Sequence, residues 1–288
     1  MNPPSKNSYT KRITALYLII GLSILSAGCT NMFFYPMKKH VLSPEKIGLE
    51  YEDVFINTDE GYKLHGWFLP AQKVPRATII FLHGNAENIS THIGAIYWLP
   101  EQGFNVFIYD YRGYGKSEGE VDIDGTIADV TLVIDHISNR DDIKGSNLII
   151  YGQSLGGAIA SNAVANYQAK NNIKALVLES SFSDFRKIAR EKLGEGWLTW
   201  AFQWPLSLTI TSDYSPQKAL RNISDIPILI IHGDDDEIIP HKHGKTLYDA
   251  ASEPKELWIV PEGKHIAATI NKEYRIKLVD YFEKVTTN

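Results

Sequence analysis

The stretch Gly152-Gln153-Ser154-Leu155-Gly156 constrains the fold of this chain more than any other. It follows an apolar run at residues 148–151 and precedes small residues that suit a packed helix. Alone, the five-residue pattern also fits an ordinary turn. At a strand-to-helix junction it predicts a turn so sharp that side chains at the flanking positions would collide. That turn would expose the hydroxyl of Ser154 at a helix N-terminus, where partial positive charge stabilises an anion. Ser154 is therefore the candidate nucleophile.

Apolar runs alternate with helical patterns along most of the chain, which predicts an α/β fold with a mostly parallel central sheet and helices on both faces. Two alternating segments, 51–57 and 62–69, predict an antiparallel hairpin at one edge of the sheet. The predicted buried strands are 78–82, 104–109, 148–151, 175–178, 228–231 and 257–260, and helices are predicted over 89–101 and 267–284.

Charge and cysteine content exclude several classes of function. The chain has 288 residues, a formal net charge of −5 and no long basic run, so nucleic acid is not an expected partner. Its single cysteine, Cys29, excludes intrachain disulfides and a cysteine zinc site.

The N-terminus has the layout of a targeting segment. Lys6, Lys11 and Arg12 precede an uncharged, mostly apolar run at 13–27, which predicts a signal peptide over residues 1–28. The sequence ending at Cys29 resembles a bacterial lipobox, which implies acylation of Cys29 and a lipid-anchored tether over 29–49. Because Thr30 and not aspartate follows the cysteine, we expect the outer membrane of the cell envelope, facing the periplasm. The alternative is an uncleaved N-terminal anchor, and both place the domain over 50–288 beside a membrane.

A serine nucleophile needs a base and an orienting acid, and in open α/β sheets these follow the carboxyl ends of strands. His265 follows the last predicted strand, on a loop, and is the candidate base. Asp234, Asp235 and Asp236 follow the preceding strand, and the chemistry alone does not choose among them. This cluster could also be a solvated acidic turn, or a divalent-ion loop with two histidines. Those histidines, His241 and His243, are interpreted as solvated residues at the start of a helix.

Two backbone N–H groups are needed to stabilise an oxyanion. The N–H of Leu155, directly after the candidate nucleophile, is the first candidate. The second is the N–H of Asn85, with Ala86 as the next choice, in the turn after the first buried strand. His83, in the same turn, is interpreted as a structural brace.

Five motifs together resemble the α/β-hydrolase superfamily, and in particular its membrane-associated branch of depalmitoylases, esterases and peptidase-like enzymes. They are the sequences at 83–86, 110–117, 152–157, 232–240 and 263–265. The resemblance implies that Asp236 is the acid and that the glycine-rich loop 110–117 is structural. A metal is not expected, because no further ligands converge on the acidic cluster, and the proposed chemistry requires no cofactor. Glu87 stands where related loops often have glycine, which would narrow the entrance to the site.

Residues 181–226 are predicted to form a short helical lid. Trp197, Trp200 and Trp204 recur in it at helical spacing. They could belong to a packed cap helix, line an acyl or aromatic pocket, or touch a bilayer. The sequence thus predicts a hydrolase of carboxylic esters or thioesters that acts on a small or acylated substrate. Peptide or amide hydrolysis by the same residues is the alternative, and a non-catalytic envelope binding protein is the alternative from another class.

Overall fold

Eight strands form one sheet in the computed structural model, which describes residues 31, 33–143 and 145–287. Their spatial order is β1-β2-β4-β3-β5-β6-β7-β8; β1 pairs antiparallel with β2, β2 pairs antiparallel with β4, and all other pairs are parallel. The predicted mostly parallel sheet with an antiparallel hairpin at one edge is confirmed. The strands are β1 (Glu52–Asn57), β2 (Lys63–Leu69), β3 (Ala77–Leu82), β4 (Phe104–Tyr109), β5 (Leu148–Gln153), β6 (Ile173–Glu179), β7 (Ile228–Gly233) and β8 (Lys255–Val260).

Helices cover both faces of the sheet, and the sheet divides the core into two apolar clusters. Along β3, Ile80 and Leu82 point into one apolar cluster, whereas Ile79 and Phe81 point into the other. This alternation explains why the central strands are apolar throughout. The α-helices of the described residues are α1 (Ile89–His92), α2 (Ile123–Ser138), α3 (Leu155–Asn166), α4 (Phe185–Glu195), α5 (Gln203–Ser207), α6 (Pro216–Ala219), α7 (Lys242–Ala250) and α8 (Lys272–Thr287).

Two predicted helices were wrong in extent, and one predicted strand was wrong in its burial. The helix predicted over 89–101 is one α-helical turn, α1, followed by separate 3₁₀ turns at Ile93–Ala95 and Pro100–Gln102. Gly94 lowers helix propensity there, and Pro100 has no N–H to continue a helix. The last helix begins at Lys272 and not at 267, because the Asn271 side chain accepts from the N–H of Glu273 at 2.8 Å. Strand β8 is only partly buried, because it is the outermost strand.

The N-terminal segment 33–41, inside the predicted tether, packs against the domain. Phe34 is buried in the core. The carbonyl of Met37 accepts from the N–H of Gly115 at 3.0 Å and from Nδ2 of Asn88 at 2.9 Å. No helix in the described part of the chain is both long and apolar enough to span a bilayer. The predicted signal peptide 1–28 and Cys29 lie outside the described residues.

Candidate active site

Ser154 lies at the junction between β5 and α3 with a strained backbone. Its φ is +52° and ψ is −116°, and its N–H donates to the carbonyl of Glu179 at 2.9 Å. A Cβ at Gly152 would lie 2.5 Å from the carbonyl oxygen of Gly156, and one at Gly156 would lie 2.1 Å from that of Leu82. Only glycine fits at either position, so the sharp turn expected from the sequence is present. It places Ser154 directly before the first N–H groups of a helix.

His265 and Asp236 are brought together from two different loops. Nδ1 of His265 lies 2.8 Å from Oδ2 of Asp236, whose Oδ1 accepts from the N–H groups of Ile238 and Ile239 at 2.9 and 2.8 Å. Asp236 is buried, whereas Asp234 and Asp235 are exposed. Of the three neighbouring aspartates, the structure therefore places Asp236 against the imidazole.

The environment of Asp236 favours its ionised form. Burial opposes ionisation, but the imidazoles of His232 and His265 and the N–H of Ile239 outweigh burial and hold the pKa of the carboxyl well below its ordinary value. Nε2 of His232 lies 3.4 Å from Oδ2 and 2.7 Å from the carbonyl of Ile239. A carboxylate held in this way keeps the facing nitrogen of His265 protonated, which leaves Nε2 able to accept a proton.

Ser154 and His265 lie at the same edge of the sheet without a direct bond. Among the hydrogen bonds of the described residues, none joins the hydroxyl of Ser154 to His265. Such bonds are often long before substrate binds. The N–H of Ile266 donates to Oγ of Ser180 at 3.0 Å, and Oγ of Ser181 donates to the carbonyl of Ser154 at 2.9 Å. The turn after β6 therefore contacts both loops.

The turn after β3 lies beside Ser154. A Cβ at Gly84 would lie 3.6 Å from Cβ of Ser154. Oδ1 of Asn85 accepts from the N–H of Ala86 at 2.7 Å, so that N–H is already paired. Within the part of the chain that the structure describes, the N–H groups of Asn85 and Leu155 have no protein acceptor. These two N–H groups can therefore donate to an acceptor supplied by a ligand.

His83 is held neutral in this turn. Its Nδ1–H donates to the carbonyl of Gly84 at 2.7 Å, and its ring stacks on Tyr111 with 4.1 Å between centroids. Burial and the neighbouring His92 lower the pKa of His83 from 6.5 to about 3. A histidine that stays uncharged and packed on both sides is suited to support the loop.

Glu179 is a buried residue of this site that the sequence reasoning missed. Its Oε2 accepts from the hydroxyl of Tyr151 at 2.7 Å and from Nε2 of Gln153 at 2.6 Å, and its Oε1 accepts from the N–H of Ala268 at 2.8 Å. It thus links the strand before Ser154 to the loop after His265. Glu179 ends the apolar run of β6, so inspection of the residues directly after that predicted strand could have found it.

The prediction that His243 is solvated was wrong, because its side chain is fully buried. Its Nδ1 accepts from the N–H of Ser183 at 3.1 Å, and its Nε2 lies 3.0 Å from Oε2 of Glu191. His243 therefore connects α7 to the start of the predicted lid. His241, two residues earlier, is exposed. The sequence carries no signal for this difference, since both histidines begin the same helix.

A second polar cluster is the one group of described residues whose ligand atoms could surround a metal ion. It consists of His40, His65 and Asp110, with these atoms within 4.8 Å of one another. Nε2 of His40 and Oδ2 of Asp110, however, are directly hydrogen-bonded at 2.7 Å. Burial raises the pKa of Asp110, but both imidazoles and the N–H of Ile89 outweigh burial and hold this pKa below its ordinary value. The cluster fastens the N-terminal segment to the glycine-rich loop 110–117.

Comparison with known proteins supports the architecture. The family model Hydrolase_4, described as serine aminopeptidase, S33, matches residues 73–222. The YfhR protein of Escherichia coli is 36% identical over 87% of this chain and 86% of its own length. The membrane protein YNL320W of Saccharomyces cerevisiae is 30% identical over 85% of each chain. The solved structure of the Pyrococcus furiosus esterase Pf2001 has a TM-score of 0.71 at 21% identity, covering 88% of this chain and 99% of that one.

The structural likeness confirms the predicted α/β-hydrolase fold, and the family indicates a hydrolase. With a family match over half of its length and relatives above 30% identity across most of it, the chain belongs to the Hydrolase_4 family of α/β hydrolases.

Proposed function

We propose that this protein is a serine hydrolase that cleaves carboxylic esters or thioesters through an acyl-enzyme. The observation that carries the proposal is the 2.8 Å contact between His265 and the buried Asp236 at the same sheet edge as the strained Ser154. An ionised acid, an imidazole and a serine in this chain order are the parts of nucleophilic acyl transfer.

In the proposed reaction, Ser154 Oγ attacks the acyl carbonyl carbon while Nε2 of His265 takes the hydroxyl proton. Asp236 stabilises the resulting imidazolium, and the N–H groups of Leu155 and Asn85 donate to the oxyanion. The carbon–oxygen or carbon–sulfur bond to the leaving group then breaks, and the leaving group receives the proton from His265. Water activated by His265 hydrolyses the acyl-serine and regenerates the free hydroxyl.

An acyl substrate is favoured by the apolar character of residues 197–208 in the predicted lid. The name of the matched family gives amide hydrolysis as the second candidate. Both use the same residues, and they differ in the leaving group. Release rates from p-nitrophenyl esters of increasing chain length, acyl thioesters and aminoacyl p-nitroanilides would separate them, since an esterase turns over the first two sets faster.

Labelling with a fluorophosphonate tests the nucleophile. We expect one adduct on Ser154, and no adduct on Ser154→Ala, whose hydrolysis should fall by at least ~10³-fold. Ser138→Ala is the matched control, because that hydroxyl lies on α2 and donates to the carbonyl of Ile134. An intact protein that does not label, or a Ser154→Ala variant with full activity, would refute the proposed nucleophile.

We also propose that the mature protein is anchored to a membrane through an acylated Cys29, on the periplasmic side of the outer membrane. The apolar run 13–27 and the name of the yeast relative support a membrane location. Mass spectrometry of the purified N-terminus tests it, with Cys29→Ser as control. We expect a lipid-modified Cys29 as first residue in the native protein alone. A chain that still begins at Met1 supports the uncleaved anchor, and an unmodified Cys29 contradicts lipidation.

A further inference from the structure

Residues 197–208 expose seven large apolar side chains and are here called the tryptophan surface. Trp197 is 81% exposed, and Trp200 and Trp204 are each 60% exposed. Its other large exposed apolar side chains are Leu198, Phe202, Leu206 and Leu208. A patch of this size on a folded domain marks a site of interaction, because single exposed apolar residues are common but clusters are not.

The composition of the tryptophan surface fits a lipid interface. Residues 196–212 contain no charged side chain, and three of the six tryptophans of the chain lie within them. Tryptophan prefers the boundary between water and hydrocarbon, because its ring is apolar and its N–H is polar. The flanking helix α4 carries four basic side chains and two acidic ones, a net positive charge that suits a surface with lipid phosphates. The basic residues are Arg186, Lys187, Arg190 and Lys192, of which Lys192 pairs with Glu195.

The tryptophan surface is held firmly on the domain through α4. The guanidinium carbon of Arg190 lies 3.8 Å from the centroid of the Trp204 ring, and its Nε donates to Oγ of Ser207 at 3.2 Å. At the start of that helix, the ring of Phe33 packs against Phe185 with 5.1 Å between centroids. Five residues of helix, ~7.5 Å, separate Phe185 from Arg190. The N-terminal segment therefore joins the domain close to the tryptophan surface.

Chain length then limits how far this region can be from an anchor. Phe33 comes four positions after Cys29, and a fully extended chain spans at most ~14 Å over four positions. With Cys29 at the membrane, as proposed above, Phe33 lies within that distance of the lipid headgroups, and the ring of Phe185 at the neighbouring end of α4 is 5.1 Å from that of Phe33. The hydrogen bonds of Met37, Asn88 and Gly115 hold the segment in place, so the domain cannot turn freely about it.

From the exposed aromatic surface and its short distance from the chain entry, we infer that residues 197–208 insert into the interfacial region of a lipid bilayer. This docking orients the predicted lid toward the membrane, where acyl groups are present. The inference rests on the proposed membrane location, but it does not depend on the proposed chemistry. Its occupant is the lipid surface, and not a second copy of the chain or the chain's own N-terminal residues.

Quenching by brominated lipid tests the insertion. The full-length lipidated protein is reconstituted into phosphatidylethanolamine–phosphatidylglycerol vesicles containing phosphatidylcholine brominated in its acyl chains. About half of the tryptophan emission should be quenched, because three of six tryptophans lie in the surface. A variant with Trp197, Trp200 and Trp204 replaced by serine keeps the three remaining tryptophans and should not be quenched. Equal fractional quenching of both proteins would overturn the inference.

Nitroxide labels distinguish lipid from protein cover. A label on Leu198→Cys should be accessible to oxygen and protected from a water-soluble nickel chelate, whereas one on Val74→Cys, 87% exposed before β3, should show the reverse. Protection of Leu198→Cys from both reagents, with or without lipid, means that protein covers the surface, and access of nickel means that nothing does. Both results overturn the inference.

Two further measurements keep the proposals separate. Failure of the full-length protein to float with vesicles refutes the membrane location and the docking together. Flotation without quenching refutes the docking alone. Fluorophosphonate labelling of Ser154 reports on the proposed chemistry independently of all these outcomes.

Discussion

At the scale of single residues, buried ionisable groups around Ser154 are held in different charge states by their partners. Asp236 stays ionised because imidazoles and backbone N–H groups outweigh the cost of its burial. His83 stays neutral because it is buried beside His92 and its Nδ1–H already donates to a carbonyl. Each state suits the position, since a carboxylate can orient an imidazole and an uncharged ring can pack beneath a loop.

The neutral His83 should make the fold sensitive to acid. Its pKa is about 3 when folded and 6.5 as the ordinary value, so below pH 6.5 the unfolded chain binds a proton that the folded chain does not. The free energy of unfolding therefore decreases as pH falls, by up to ~1.4 kcal/mol per pH unit from this residue. Urea unfolding between about pH 4 and pH 6 measures this dependence. In His83→Gln, the unfolding free energy should change with pH by up to ~1.4 kcal/mol per pH unit less than in the native protein. Identical slopes would contradict the assignment.

Glu179 should position the residues on both sides of the proposed site. Glu179→Ala removes the acceptor for Tyr151, Gln153 and Ala268, and we expect a loss of at least ~2 kcal/mol of unfolding free energy and ~10-fold slower fluorophosphonate labelling. Glu179→Gln keeps an acceptor oxygen and should retain most of the unfolding free energy and most of the labelling rate. If Glu179→Ala labels at the normal rate in folded protein, this positioning role is wrong.

At the scale of elements, the turn between β5 and α3 depends on close backbone approach. Gly156→Ala would force its Cβ against the carbonyl of Leu82, which only a shift of α3 could relieve. We expect a loss of more than ~3 kcal/mol, or no folded protein, in thermal unfolding monitored by circular dichroism. Gly94→Ala is the matched control, since nothing lies within 4 Å of its Cβ. It should change stability by less than ~1 kcal/mol. Similar effects of both changes would contradict this account.

His243 should hold the start of the predicted lid. His243→Leu fills a similar volume but leaves the buried N–H of Ser183 without its acceptor. It also removes one of two partners of the Glu191 carboxylate, which keeps Lys242 at 2.9 Å. The expected cost is ~1–3 kcal/mol, with faster amide exchange over residues 181–195. His241→Leu, at an exposed position of the same helix, should leave exchange there unchanged. Unaltered exchange in His243→Leu would show that the lid is held by other contacts.

At the scale of the whole molecule, the N-terminal segment 33–41 is part of the folded unit. Its Phe34 is buried, and its His40 pairs with the buried Asp110. A chain that starts at Glu50, the predicted domain border, should therefore be less stable than one that starts at Asn31. The expected difference is at least ~3 kcal/mol, from one buried aromatic side chain and a buried carboxylate that loses the His40 partner. Equal denaturation midpoints would show that residues 31–49 are a simple tether that does not stabilise the domain.

The sequence predicted the sheet, its antiparallel hairpin and the turn at Ser154, because each depends on local patterns. Buried strands such as β4 are continuously apolar, and the glycines at 152 and 156 have a steric reason that can be stated from the chain alone. It did not predict the burial of His243 or the role of Glu179. Those depend on partners 52 and 89 residues away, which no local pattern identifies.

By itself, the sequence determined the α/β architecture and the chain order of the candidate serine, acid and base. Only the tertiary structure placed Asp236, and not Asp234 or Asp235, against His265, and packed Phe33 beside α4, the helix that flanks the tryptophan surface. The physical reason is the same in both cases. Periodicity and steric limits act between near neighbours in the chain, whereas the choice among equivalent side chains depends on which of them the packed sheet and loops bury together.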